Sequence, residues 1–560
     1  MYVRLHRQKQ RGKVYTSVQV CESYRDAEKG NAPRSRVLVN LGPVEKLGPE
    51  TLRNLADGFS RAAGAPGAAM SLPSAAKGAA PVTTLRSARD FGHVYAVGGV
   101  WDGLGLSEVL AQAGINGEAE FEPSEQVRLL VVNRLCEPRS KWALLDWMDG
   151  VHWGGLEKPP YHHLLRAMDR LIEVKQEAEP QIAKRLLGEA PAVDLVFYDI
   201  TSTYFEGDRS LGEEDLRRFG YSRDGRSDRR QVVVGMVMTR EGIPLCHHVF
   251  PGNTVDKTTV TEVVGDLKER FRLERIVFVG DRGMLSDGNL TTLLDQGIGF
   301  IVAHPLRRDV HAREVIGALS TQFNRRGQDE QFFEDVREEV RFVVAYSPRM
   351  AQEVREARHL RLKQADGWID EQLGKLRSPG SRGRKPTAQG TYDRIRDHLR
   401  DRGLLGFYEV TLSEGTVAVA KDRKALLWEA KIDGVLLLET TNLALSPEAV
   451  VRRYKELAEI ERGWRCLKST LLMRPVHHWT ERRIRAHVFV CVLALQVERW
   501  MRNCLRPLET SVPKALETLR RIKVGELEIG GHTTLVPTRP AQDQAALLHA
   551  LGVPPIPATL

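Results

Sequence analysis

The feature that most restricts what this chain can fold into is a set of β-branched and aromatic runs between residues 194 and 303. They read VDLVFYDITSTYFEG, RQVVVGMVMTREGIPLCHHVF, RIVFVGDRGM and GIGFIVAHPL, each bounded by turn residues, which is the signature of strands. Strands are expected over 194–204, 231–239, 244–250, 276–280 and 299–303. The first three are expected to follow one another with short connections, as an antiparallel meander. Helix-like segments over 257–270 and 286–296 then lead into the fourth and fifth. Two runs carry an aspartate: Asp199 inside VFYDITSTYF and Asp281 at the end of IVFVGD. An ionised carboxylate among apolar residues is costly unless it is paired or bound to a metal. A meander that continues into alternating helix and strand sets the first strand beside the strand after the first helix, so the two acids can meet. Carboxylates brought together repel, and one or two divalent cations between them remove that penalty.

A third acid comes from YKELAEIERGWRCLK, residues 454–468, which reads as one helix of good helix formers without proline. Tyr454, Glu461 and Lys468 stand seven apart, a drift of only ~20° per step, so one helix would show them on one face. Arg465, four after Glu461, shares that face, which reads either as built to meet a metal and a phosphate backbone or as a solvated charged face. Upstream, Ser446-Pro447-Glu448 offers a cap, a proline for the first turn and an acid near the positive helix end. Hard oxygen ligands without histidine or cysteine at comparable positions favour Mg²⁺, or Mn²⁺ in its place. Three meander strands followed by alternating helix and strand make an α/β core of ribonuclease H-like type.

The rest of the chain divides by pattern. Residues 1–60 suggest a small β-hairpin unit around the turn KGNAPRS, and 61–97 an Ala/Gly/Pro-rich linker. Residues 98–190 suggest a compact helical domain, open to DNA binding of the helix-turn-helix kind but without a clear recognition helix. The catalytic core would occupy 191–304 and 431–525, interrupted over 305–430 by an insertion of charged helical pieces, short strands and a basic loop at 375–386. A helix over 481–503 carries the longest apolar run, 488–497, about half of what a membrane span needs, and is expected to pack on the sheet. The tail, 526–560, shows no pattern. With 82 Lys+Arg against 73 Asp+Glu, the net charge of +9 favours an anionic partner. Six scattered cysteines without a CxxC pair, and a start without an apolar segment, point to the cytoplasm.

Taken in order, YDITSTYFEG, GNTVDKTT, FVGDRGM, DGVLLLETTN and Y-x6-E-x6-K resemble the DDE transposases of bacterial insertion sequences, in the insertion-sequence-four superfamily. The resemblance covers roughly residues 190–500. It implies a ribonuclease H-like core with a β-rich insertion, two Mg²⁺ ions and cut-and-paste DNA chemistry at terminal inverted repeats, by a homodimer bridging two ends, in a bacterial cytoplasm at the nucleoid. Matched residue by residue, it makes Asp199, Asp281 and Glu461 the metal-binding and catalytic triad, with Tyr454 and Lys468 on DNA. The family helix pattern has an arginine where this chain has Leu457, so Arg453 or Arg465 would have to take its place. Some relatives hold a flipped base on an aromatic ring; Trp428 and Trp464 are the residues placed to do so, against packing as the commoner role. His247-His248 and His477-His478 fit surface or core roles better than ligation, because adjacent side chains do not share a face. Asn253 and Asp256 fit a turn, and Arg282 a phosphate contact or an offset to the acids. The alternatives are a catalytically silent DNA-binding relative and a nuclease without strand transfer.

Overall fold

The computed structural model describes residues 2–10, 13–26, 32–43, 83–154, 157–188, 195–207, 212, 215–255, 258–271, 277–280, 287–307, 309–337, 340–378, 385–529 and 532–560. At the N-terminus, β1 (Tyr2–Gln10), β2 (Lys13–Asp26) and β3 (Ala32–Pro43) form an antiparallel sheet in that order, one strand more than the expected hairpin. Residues 61–82 of the expected linker lie outside the described residues. Its remainder is not linker but β4 (Thr83–Asp90) and the start of α1 (Gly92–Gly103).

A helical bundle follows: α2 (Leu106–Gln112), α3 (Pro123–Cys136), α4 (Lys141–Gly150), α5 (Tyr161–Glu173) and α6 (Lys175–Leu187). The run SEQVRLLVVNRLCEP forms α3, and HHLLRAMDRLIEVKQEA spans α5 and the start of α6.

The chain then enters the central sheet through β5 (Leu195–Tyr204), β6 (Gln231–Met238) and β7 (Pro244–Pro251). Next come α7 (Val260–Glu269), β8 (Val277–Gly280), α8 (Asp287–Asp295) and β9 (Gly299–Ala303). β5, β6 and β7 are antiparallel neighbours, whereas β8 runs parallel to both β5 and β9. One connection differs from expectation: β5 and β6 are separated by residues 205–230, a long excursion rather than a short turn.

The span expected as a separate insertion contributes to the same sheet. After α9 (Val310–Leu319), β10 (Gln331–Arg337) and β11 (Val340–Tyr346) join its edge. The excursion proper is mainly helical rather than β-rich: α10 (Pro348–Arg377), α11 (Ala388–Asp401), the hairpin β12 (Tyr408–Ser413) and β13 (Thr416–Lys421), then α12 (Arg423–Ile432). It closes around its own apolar cluster, which includes Leu362, Ile369, Ile395, Leu399 and Tyr408. β14 (Val435–Thr440) returns between β11 and β9, completing an eight-stranded mixed sheet in the order β10-β11-β14-β9-β8-β5-β6-β7.

Beyond the sheet lie α13 (Pro447–Lys455), α14 (Ala458–Arg465), a π turn (Cys466–Thr470) and α15 (Glu481–Leu505). α15 carries the apolar run and is buried on almost every side, so it needs no polar stripe. It packs on β7, as expected of a helix against the sheet, but also on α1, α3 and α5 of the bundle. One core cluster therefore runs from Trp101 and Leu164 through Phe489 to Phe197 and Met236. The tail is also ordered: after α16 (Val512–Leu519), β15 (Lys523–Ile529) pairs with β4 on one side and with β16 (His532–Pro537) on the other, and α17 (Gln542–Ala550) follows. No helix among the described residues is long and apolar enough to cross a membrane.

Candidate active site

Strand alternation decides which face of β5 carries the acid. Tyr198 and Ile200 join the apolar cluster under α7, so Phe197 and Asp199 face the other side, where Phe197 packs in one cluster with Leu457, Ile460 and Trp464. Asp199 is half-buried and stands opposite Met236 of β6. Its Oδ2 accepts a hydrogen bond from the Trp464 indole Nε1 at 3.1 Å, and its Oδ1 from the Ile200 backbone N–H at 2.7 Å. An ionised carboxylate accepts several bonds at its two oxygens, the chemistry that a hard cation also uses. Glu461 lies one helical turn before Trp464 on α14 and is exposed. The tryptophan thus ties the helix bearing one expected acid to the strand bearing another.

Asp281, the remaining acid, lies outside the described residues, as do Arg282 and Asp256. β8 ends at Gly280, and its pairing with β5 runs to Val279 opposite Phe197.

The expected single helix over 454–468 is instead three segments. Ser446 caps α13 as expected, its Oγ accepting from the Ala449 N–H at 3.2 Å. At the α13–α14 junction the ladder tightens: Leu457, Glu459 and Ile460 donate to the carbonyls three residues earlier, at 3.0, 2.9 and 3.0 Å. The reason lies in the apolar seam. Its buried positions 450, 457, 460, 464 and 467 recur on average below the 3.6 period, and a short tightened turn keeps them on the core. Leu457 is one of these residues, only 9% exposed. A side chain there faces the core, which is why leucine fits where the family pattern has arginine.

The expected DNA contacts divide accordingly. Tyr454, on α13, is half-buried and packs against the core cluster. Arg465 is exposed, while Arg453 is half-buried. Lys468 sits in the π turn with its Nζ 2.7 Å from Asp224 Oδ1, a carboxylate that also takes Arg474. Burial pulls the Lys468 pKa below its ordinary value, against the pull of Asp224. Asp224 belongs to the β5–β6 excursion, whose Arg223 N–H also bonds Ser202 Oγ of β5 at 3.0 Å. Sequence reasoning missed this segment. The arginine cluster RRFGYSRDGRSDRR was its one signal, and it has no apolar period to mark it as structured.

A transposase DDE domain model matches residues 195–497, more than half of the chain. The chain belongs to the DDE transposases. The matched span runs from the first residue of β5 into α15 and so contains both Asp199 and Glu461. The N-terminal domain model of the IS1634 family transposases matches residues 3–69. No curated protein matches the chain. Among solved structures, the chain is similar to the piggyBac transposase in a synaptic complex with hairpin DNA, at 9% identity and a TM-score of 0.37, over 74% of this chain and 75% of that one.

Other residues of this transposase singled out by the sequence occupy packed, paired or exposed positions. Trp428 donates its indole N–H to the Leu306 carbonyl at 3.2 Å and stacks under Arg313. Trp464 is 6% exposed and serves Asp199, whereas Trp428 is half-buried. His247 is fully buried against Glu179, with Nδ1 to Oε1 at 2.7 Å. His248 points the opposite way, 3.1 Å from Asp266 and 3.3 Å from Glu262. Burial alone would lower the His248 pKa, but hydrogen bonds, that to Asp266 first, raise it to about 11. Cys246, His248 and Asp266 bring ligand atoms within 4.8 Å of one another, yet Arg270 already holds Asp266 and the imidazole carries a proton. His477 is exposed, and His478 lies against the buried His487, 5.5 Å between ring centres. Asn253 is exposed beside Gly252, whose added Cβ would meet the Gln231 carbonyl oxygen at 2.0 Å; the motif's glycine is there for a close backbone approach.

Trp464→Phe keeps an aromatic ring in the core but removes the hydrogen bond to Asp199 and part of the buried bulk. For a carboxylate read from the sequence as a metal ligand, loss of an orienting bond is expected to weaken metal affinity or activity by about 10–100-fold. A metal titration of strand cleavage checks this; an unchanged half-saturating concentration would show that the indole only packs.

Proposed function

We propose that this transposase excises and reinserts its own insertion sequence, cleaving and joining DNA strands at terminal inverted repeats with a divalent metal. The observation that carries this reading is the Trp464–Asp199 hydrogen bond, which seats the Glu461 helix on the strand that bears Asp199. The strand order β7-β6-β5-β8-β9, antiparallel through the first three and parallel beyond, supports a ribonuclease H-like core. The Y-x6-E-x6-K spacing supports a place in the insertion-sequence-four superfamily.

Asp199 and Glu461 fit a hard divalent cation: both offer carboxylate oxygens, one pre-oriented by two donors and the other open to solvent. With Asp281 as third ligand they would hold Mg²⁺ or Mn²⁺, in our reading two ions. Such ions, when bound, activate a water or a DNA 3′-hydroxyl and stabilise the leaving oxygen at phosphorus. The chain's own residues hold one acid in place: Trp464 and the Ile200 N–H orient Asp199, while Asp224 holds Lys468. Tyr454, Arg465 and Lys468 would contact DNA, and Lys468 would exchange Asp224 for phosphate. A homodimer would bridge the two ends, the helical bundle contributing further DNA contacts.

The test takes purified protein, a labelled duplex of the gene's terminal repeat and a supercoiled plasmid. Nicking at the repeat end and joined product are expected with Mg²⁺ and absent with EDTA. Tight end binding without cleavage under Mg²⁺ or Mn²⁺ would instead identify a silent DNA-binding relative.

A further inference from the structure

We infer that the groove on the opposite flank of α14 from Trp464 is a second DNA-backbone site, gripping phosphates of a strand that passes beside Glu461. This rests on the reading of the protein as a DNA-cleaving transposase. The groove has a volume of about 910 Å³ and lies between α14, the π turn, the C-terminal half of α15 and the β6–β7 turn. Arg240, Arg462, Arg465, Arg499, Arg502 and Arg506 line it, against four glutamates.

The pairing among these groups leaves cationic donors over. Glu459 takes both Arg462 and Arg502, and Glu456 takes Arg240. Arg465 and Arg506 are exposed and have no acidic partner among the described residues. Arg499 is the decisive side chain. It is 3% exposed, and its Nε and Nη2 make no hydrogen bond. The closest carboxylate oxygen, Glu498 Oε2, is 3.7 Å from Nε, beyond hydrogen-bond reach. Burial also raises the pKa of Glu498, weakening that carboxylate as a counter-charge.

A buried guanidinium with open donors is costly unless a ligand completes it. The planar fork matches the two free oxygens of a phosphodiester, and the flanking exposed arginines extend the same recognition along a backbone. Position matters as well: Arg465 stands only about 40° round the helix from Glu461, so the groove opens beside the acidic face. A strand held there would be led toward the carboxylates.

The experiment uses the full chain and a fluorescent duplex of its own terminal repeat, in EDTA so that nothing is cleaved. Affinity is measured across a salt series for the wild type, for Arg465→Gln/Arg506→Gln and for Arg499→Gln. The exposed pair is chosen because its loss should leave the melting temperature unchanged. Each lost phosphate contact lowers the steepness of the log–log salt dependence by about one, so the double variant should lose about two and bind more weakly at every salt concentration. Arg499→Gln should weaken binding in the same sense. A double variant with wild-type slope and affinity overturns the groove, and the DNA contact assigned to Arg465 with it, while cleavage and joining of the repeat by the wild type would still stand for the transposase reading. Wild-type protein that binds no DNA, and cleaves none when Mg²⁺ is restored, overturns both.

Discussion

Glu461→Gln is expected to abolish metal-dependent nicking and joining while leaving the fold intact. Glutamine keeps the size and shape of the side chain but removes the negative charge that a divalent cation requires. Substitutions that merely misorient a metal ligand cost about 10–100-fold, so loss of a ligand itself should exceed about 100-fold. The residue is exposed on α14, and surface replacements usually shift stability by no more than about 0.5 kcal/mol. Cleavage of the labelled repeat should therefore vanish at every Mg²⁺ concentration, with an unchanged melting curve. Activity that survives the substitution would mean that the third acid lies elsewhere, with Glu459 on the same helix the first to examine.

The second large effect concerns stability. Phe489 is fully buried on α15, its ring 5.2 Å from that of His247 on β7. Its helix packs at once on β7 and on α3 and α5, so the ring sits in a core shared by sheet and bundle. Phe489→Ala removes a large ring where neither side can close the gap without moving the other. Such truncations cost about 3–5 kcal/mol, a large part of the roughly 5–15 kcal/mol that holds a typical protein together. Urea denaturation should show a midpoint far below the wild type. Because bundle and sheet share that core, they should unfold in one step, and Leu427→Ala, at a site 67% exposed, should barely move the curve. Separate transitions for bundle and sheet in the wild type would contradict a common core.

The candidate site residues were read from local pattern. Asp199 stood out as a charge within a β-branched run, Glu461 as an acid spaced seven from Tyr454 and Lys468, and Ser446 as a cap ahead of a proline. What escaped reading was non-local. β10 and β11 are short runs whose place at the edge of the sheet is set by pairing with β14, nearly a hundred residues later. β15 escaped reading as a strand because one of its two partners, β4, lies more than four hundred residues away. The role of Trp464 could not be separated from packing until its indole was found on Asp199, 265 positions earlier in the chain.

The sequence by itself determined the strands, the helices and the kind of acid chemistry available, since periodicity, turn residues and the rarity of charge in apolar runs are properties of neighbours along the chain. Only the tertiary structure decided which face of β5 meets α14, that Leu457 turns into the core, that Lys468 rests on Asp224, and that Arg499 lies buried with open donors. Those outcomes follow from how helices settle on a sheet, where burying the apolar seam outweighs any single polar contact and fixes, as a consequence, where each charge ends up.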